Sequence, residues 1–139
     1  STNQDLALQD LAITTAQDAD AAMVRLDFSA GIVAVKEFID AVNMYLTETE
    51  PWKLAKDEAN SARVDTILYT VCEALRIIAV LYNPIMPKSM NELWTSLGAE
   101  AALGPIAAQR ISKVAVWGQL PSGSIVTKGA ALFPRIEEE

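Results

Sequence analysis

"NSARVDTILYTVCEALRIIAVLYN", residues 60–83, decides the fold class. Val64, Ile67, Leu68, Val71, Leu75, Ile78, Ala79 and Tyr82 recur at spacings of three and four, which is one face of an α-helix. Ala74, Ile77, Val80 and Leu81 widen that stripe in the second half. A helix apolar on most of its sides belongs in the middle of a bundle. Asn83-Pro84 closes the element, because a proline drives the residue before it out of the helical region.

Upstream, residues from about 30 to 47 place Val35, Phe38, Ile39, Val42, Tyr45 and Leu46 on one helical face. Lys36, Asp40, Asn43 and Thr47 fall on another, read as a solvated side. Asp27-Phe28-Ser29 interrupts the chain before it, with Ser29 expected as the N-cap. An Ala-rich helix is expected over about 3–26, with Leu6, Leu11, Ala19, Met23 and Leu26 as its core positions. It starts without a visible capping box or lead-in, which reads as a bundle whose first helix is missing, cut from a larger chain. Downstream, Ser89 is expected to cap a short helix that runs to Leu97 and stops at Gly98. From 99 onward Gly, Pro and β-branched residues replace the helical pattern. The expected architecture is all-α: an antiparallel helical bundle over 1–98 with an irregular, extended C-terminal strap over 99–139 packed on it.

With 139 residues, 51% hydrophobic and 21% charged, the chain is long enough and apolar enough for one folded domain. The longest uncharged helical stretch, "IIAVLYNPIMP" (77–87), is too short to cross a bilayer and holds two prolines. "STNQDLALQD" at the start has neither the basic nor the apolar region of a signal peptide. A single cysteine, Cys72, permits no internal disulfide and suits a reducing compartment, so a cytoplasmic location is expected. There is no histidine, and with one cysteine no zinc site can be assembled from Cys and His. The chain is a poor candidate for a self-contained catalyst. Its net charge of −7 argues against a general nucleic-acid binder but leaves room for a local basic patch.

"YLTETEPWKLAKDEA" (45–59) carries the main candidate site. Trp52 follows a helix break at Pro51 and precedes Lys53 and Lys56. Two readings stand: a corner plug buried against a neighbouring helix, or a flat platform on which a single-stranded base stacks while the ammonium groups meet phosphate. Trp94 reads as core, Trp117 as the anchor of the strap, and Cys72 as a small core residue. Glu73 and Arg76 read as exposed helix charges. No carboxylate pair suggests acid–base catalysis, and no Gly-rich phosphate loop is present.

Several motifs together resemble the anticodon-binding domain of methionyl-tRNA synthetases. These are "FIDAVNMYLTETEPWKLAK" (38–56), "ALRIIAVLYNPIMPKSMNELWTSLG" (74–98) and "WGQLPSGSIVTKGAALFPRIE" (117–137), whose order and spacing carry the resemblance across nearly all of 20–137. It implies the helical bundle of class I synthetases and a role in tRNA selection. In that family the Trp after Pro stacks on an anticodon base of the CAU triplet, which assigns Trp52 the stacking role and Pro51 the shaping of the platform. Lys53 and Lys56 are added as phosphate neighbours. The family's base-edge readers, an Asn and an Arg on a preceding helix, have no match here. Neither do the His-Ile-Gly-His and Lys-Met-Ser-Lys-Ser type catalytic motifs. The parent enzyme implied is a methionine–tRNA ligase that uses ATP with magnesium, with this chain holding no cofactor, no metal and no catalytic residue. Its implied partners are methionine tRNA and the upstream catalytic domain, onto which "LFPRI" would dock through Phe133 and Ile136. The rival reading is a protein-interaction module that uses Trp117 and Phe133 and has no RNA role.

Overall fold

A computed structural model describes residues 2–114 and 116–120. Three 22-residue helices dominate: α1 (Asn3–Val24), α2 (Phe28–Thr49) and α4 (Ser61–Tyr82). Between α2 and α4 lies the four-residue α3 (Pro51–Leu54) and a 3₁₀ turn, Glu58–Asn60. After α4 come α5 (Pro87–Ser96), α6 (Ala99–Leu103), a 3₁₀ turn at Ile106–Ala108 and α7 (Ile111–Val114). Side-chain bonds fix the directions. Tyr45, late in α2, reaches Asp5 at the start of α1, so those two helices are antiparallel. Arg63, early in α4, reaches the same Asp5, so α4 runs back parallel to α1.

The middle helix follows its sequence pattern closely. Ile67, Ala74, Ile77, Ile78 and Ala79 are buried, and one continuous core joins them to Phe38, Val42 and Tyr45 of α2 and to Met90, Leu93 and Trp94 of α5. Trp94 is the largest of the fully buried side chains, and its indole N–H donates to the Gly104 carbonyl at 2.9 Å.

The register of α1 differs from the expectation. Its buried stripe is Asp5, Leu8, Ala12, Thr15, Ala16, Ala19 and Ala22, while Leu6, Leu11, Met23 and Leu26 are exposed. Small side chains on that stripe let the α2 backbone come close: a Cβ built on Gly31 would lie 3.6 Å from the Ala22 Cβ. Leu26 stands outside for a backbone reason. It takes the left-handed conformation (φ 59°) that ends α1, with the Asp27 N–H closing onto the Ala22 carbonyl.

Helix starts also differ from the expectation. Asp27, not Ser29, caps α2 by accepting from the Ala30 N–H. Pro87, not Ser89, begins α5, its fixed φ suiting the first helical position. And α1 does carry a capping box: the Thr2 hydroxyl accepts from the Asp5 N–H while the Asp5 carboxylate accepts from the Thr2 N–H. Gly98 stops α5 as expected, in the left-handed region at φ 74°.

Residues 99–114, expected as extended strap, instead form short helical turns. "AEAAL" has good helix formers but is cut off by Gly104-Pro105. The closing "LFPRI", with Phe133 and Ile136, lies outside the described residues.

The largest departure concerns Glu73 and Arg76, read as exposed charges. Both side chains are 0% exposed and pair with each other, Arg76 Nε donating to Glu73 Oε2 at 2.9 Å. Arg76 also donates to the carbonyls of Val114 and Val116, while Glu73 accepts from the N–H groups of Gly118, Gln119 and Leu120. The pair therefore clamps residues 114–120 to α4. Gly118, at φ 87°, supplies the left-handed turn that points its N–H at the carboxylate.

Candidate nucleic-acid interface

At the C-terminal end of α2 the chain turns without a loop. Glu50 takes φ 46°, ψ 58°, serving at once as the last cap of α2 and the first of α3. Its N–H donates to the Leu46 carbonyl, and its own carbonyl accepts from the N–H groups of Lys53 and Leu54. Pro51 occupies the first position of α3 and is buried; Leu54 is half-buried against the core. α3 packs on α4.

Trp52 points the other way and is 55% exposed. Pro51 fills the corner, and the indole of Trp52 is covered over only part of its surface. Lys53 and Lys56 are exposed beside it. Lys53 Nζ sits 3.0 Å from Glu50 Oε1, whereas Lys56 forms no ion pair with a described residue. The structure thus brings Pro51, Trp52 and Lys53 onto one short helix, with Lys56 two residues past its end.

The same end of the bundle holds a network that the sequence reading missed. Arg63 reaches Asp5 with both terminal nitrogens, at 2.6 and 3.2 Å, and the Tyr45 hydroxyl donates to the same carboxylate. Burial alone would raise the pKa of Asp5; the bonds from Arg63, Tyr45 and the Thr2 N–H, with the Arg63 charge, outweigh it and bring the pKa down to about 2. Burial, the bond to Asp5 and that carboxylate's charge push the Tyr45 phenol up to about 12. Neither Asp5 nor Arg63 was singled out from the sequence. The available signal was the Thr2-x-x-Asp5 spacing of a capping box.

Stability follows from the direction of the Asp5 shift. The folded pKa lies below the ordinary 3.8, so the contribution is complete above about pH 4 and is lost as pH falls through about 2. The shift corresponds to about 2 kcal/mol. Asp5→Asn is expected to lower stability at neutral pH and to flatten the loss between about pH 4 and pH 2. Urea unfolding across that range checks it, and an unchanged acid limb would remove the network from the account.

Elsewhere, an apolar cleft of about 290 Å³ opens at the opposite end of α2, lined by Met23, Phe28, Ile32, Val80, Leu81 and Ile85. Among the described residues no group of three or more His, Cys, Asp or Glu is placed to hold a metal ion, and no helix is long and apolar enough to cross a membrane.

Comparison with known proteins agrees with the bundle. The family described as the anticodon binding domain of methionyl tRNA ligase matches residues 1–139. A methionine–tRNA ligase of Streptomyces coelicolor is 58% identical over 116 residues, covering 82% of this chain and 22% of that protein. One from Halalkalibacterium halodurans is 33% identical over 135 residues, covering 97% of this chain and 20% of the relative. The crystal structure of free-state Mycobacterium tuberculosis methionyl-tRNA synthetase superposes with a TM-score of 0.82 at 28% identity, over 97% of this chain and 26% of that one. A second structure of that enzyme holds methionyl-adenylate. The chain thus spans about a fifth of the length of these curated relatives.

Proposed function

This chain belongs to the family of anticodon-binding domains of methionyl-tRNA ligases, and from that premise we propose that it selects methionine tRNA by stacking an unpaired base of the CAU anticodon on Trp52. The parent enzyme attaches methionine to that tRNA in the cytoplasm, using ATP with magnesium at a catalytic domain outside this chain. The bundle, 1–98, presents the platform, and the strap, 99–139, lies between bundle and catalytic domain.

One observation carries the reading: an indole 55% exposed at a helix corner whose proline is buried. Leaving a large aromatic in water forgoes the burial energy that usually fixes its place. Pro51 and the rigid turn hold the ring at little entropic cost, and a base has the flat surface to cover it. Lys56, and Lys53 once free of Glu50, supply positive charge for the neighbouring phosphates. Stacking is tolerant of sequence, so base-edge readout has to come from residues other than Trp52.

Trp52→Ala in the full ligase is expected to cost roughly 1–3 kcal/mol, the worth of one stacked base, or about five- to 150-fold in kcat/KM for tRNA charging. ATP-dependent methionine activation, which needs no tRNA, should stay unchanged. Unaltered charging together with unaltered discrimination against a changed anticodon would refute the stacking role. The protein-interaction reading has less support: Trp117, its proposed contact, is half-buried against the core of this same chain.

A further inference from the structure

At the pole of the bundle opposite Trp52, where α1 turns into α2 and α4 ends, the surface is apolar. Met23, Val24, Leu26, Phe28, Ile32 and Ile85 make up six of the thirteen large apolar side chains exposed among the described residues. Four of them, Met23, Phe28, Ile32 and Ile85, line the cleft of about 290 Å³. Leu26 breaks two local rules at once. It holds the left-handed conformation (φ 59°) at the end of α1, where glycine or asparagine costs less. It also leaves a large apolar side chain 74% exposed. Its neighbours behave alike: Val24, in the last turn of α1, is 80% exposed, and Phe28, in the first turn of α2, is 55% exposed. Residues that suit neither their backbone nor water gather where a fold serves something beyond its own packing. A contiguous apolar patch of this kind marks an interaction surface.

We propose that this pole is the seat of the catalytic domain of the same ligase, with Leu26 and Phe28 as its apolar anchors. This rests on the reading of the chain as the anticodon-binding part of a methionine–tRNA ligase. The chain covers 22% and 20% of two ligase relatives, so most of such a parent lies outside it and has to be held against it somewhere. Position selects the pole. α2 is 22 residues long, which sets Phe28 about 33 Å from the corner that carries Trp52. One tRNA has to meet the anticodon platform at one end and the catalytic domain at the other. A domain docked beside Trp52 would stand in its way, whereas one docked at the far pole leaves the platform open. Chemistry selects protein over RNA as the occupant. An apolar centre offers phosphate no counter-charge. With the exposed charges of Arg25 and Asp27 at its edge, it has the apolar core and polar rim of a protein interface. The cleft between Phe28, Ile32 and Ile85 gives a large apolar side chain of the partner a place to enter.

The test uses the full ligase carrying Leu26→Asn and Phe28→Asp together. Both changes suit the bundle on its own: asparagine tolerates the left-handed cap, and an acidic residue in the first turn of α2 meets the positive end of that helix. Both also remove an apolar anchor. Small-angle X-ray scattering should show a larger radius of gyration than the parent's, because the domains are no longer held together. Binding of a CAU anticodon stem-loop and methionine activation without tRNA should stay at the parent's level. Charging of whole tRNA should fall roughly ten- to a hundred-fold in kcat/KM, since the two sites no longer hold one tRNA in register. Unchanged scattering overturns the proposal whatever the charging rate does. A parent that sediments as a dimer and a variant that sediments as a monomer overturn it too, because a second copy would then be the occupant. If the pair of changes abolishes stem-loop binding, Leu26→Asn alone decides by the same readouts. Loss of stem-loop binding in that variant as well would make the pole a support of the bundle itself and overturn the proposal. Trp52→Ala is run alongside. If it weakens stem-loop binding while the Leu26 and Phe28 variant scatters like the parent, only the docking falls. If it leaves stem-loop binding intact while that variant expands, only the stacking falls.

Discussion

Glu73→Ala is expected to cost the folded chain about 3–5 kcal/mol, the usual loss when one partner of a buried ion pair is removed. The cost has two sources here. Arg76, 0% exposed, would keep its charge in the core without a counter-charge. The N–H groups of Gly118, Gln119 and Leu120 would lose the carboxylate that accepts from them. Against a total stability of about 5–15 kcal/mol for an ordinary domain, such a loss is large. Urea unfolding should show a much lower midpoint. The slope should fall as well, because a strap segment released from α4 leaves less surface to expose on unfolding. A paired replacement sharpens the expectation. Where two buried charges serve only each other, swapping both for apolar residues is often neutral or stabilising. Glu73→Leu with Arg76→Met should recover only part of the loss, since the carbonyls of Val114 and Val116 also lose their donors. Full recovery would mean that the clamp contributes nothing to holding the strap.

Trp94→Ala should be comparably damaging, about 3–5 kcal/mol, by leaving a cavity where α4, α5 and the turn at Gly104 meet. The indole is 1% exposed, and its N–H satisfies the Gly104 carbonyl. Trp94→Phe fills most of the space but leaves that carbonyl without its donor, so about 1–2 kcal/mol is expected. The two variants separate packing from hydrogen bonding. Equal losses would place the whole effect in the indole N–H; no loss in Trp94→Ala would contradict its place in the core. Fluorescence offers an independent check. Trp94 supplies buried emission and Trp52 solvated emission, so Trp94→Ala should shift the remaining spectrum towards the red.

Helix α4 was legible because its apolar positions repeat over six turns and its ends carry local signals. Pro51 and Gly98 were legible for the same reason: the backbone restrictions of proline and glycine act within a residue or two. The register of α1 was not. Large residues are a good guide to a buried face only where the neighbour stands far enough off to admit them, and α2 approaches too closely. Ala12, Ala16, Ala19 and Ala22 fit that approach, while Leu6 and Leu11 are left outside. The site was half legible. The Pro-Trp pair and its flanking lysines stood out in "TEPWKLAK", but the exposure of the Trp52 ring came only from the fold.

By itself the sequence determined the all-α fold class, the extent of the central helix, the breaks at Pro51 and Gly98, and the family its motifs resemble. Each of these rests on spacing or on backbone constraint within a few residues. Tertiary structure alone decided that Trp52 is exposed, that Lys53 pairs with Glu50, and that Asp5 and Glu73 are buried. Glu73 and Arg76 show the reason most plainly. At a separation of three they form the same pattern as any surface pair on a helix. What makes them core residues is the backbone of residues 114–120, about forty positions further along. A charge can be buried only where partners meet it, and those partners come from another part of the fold.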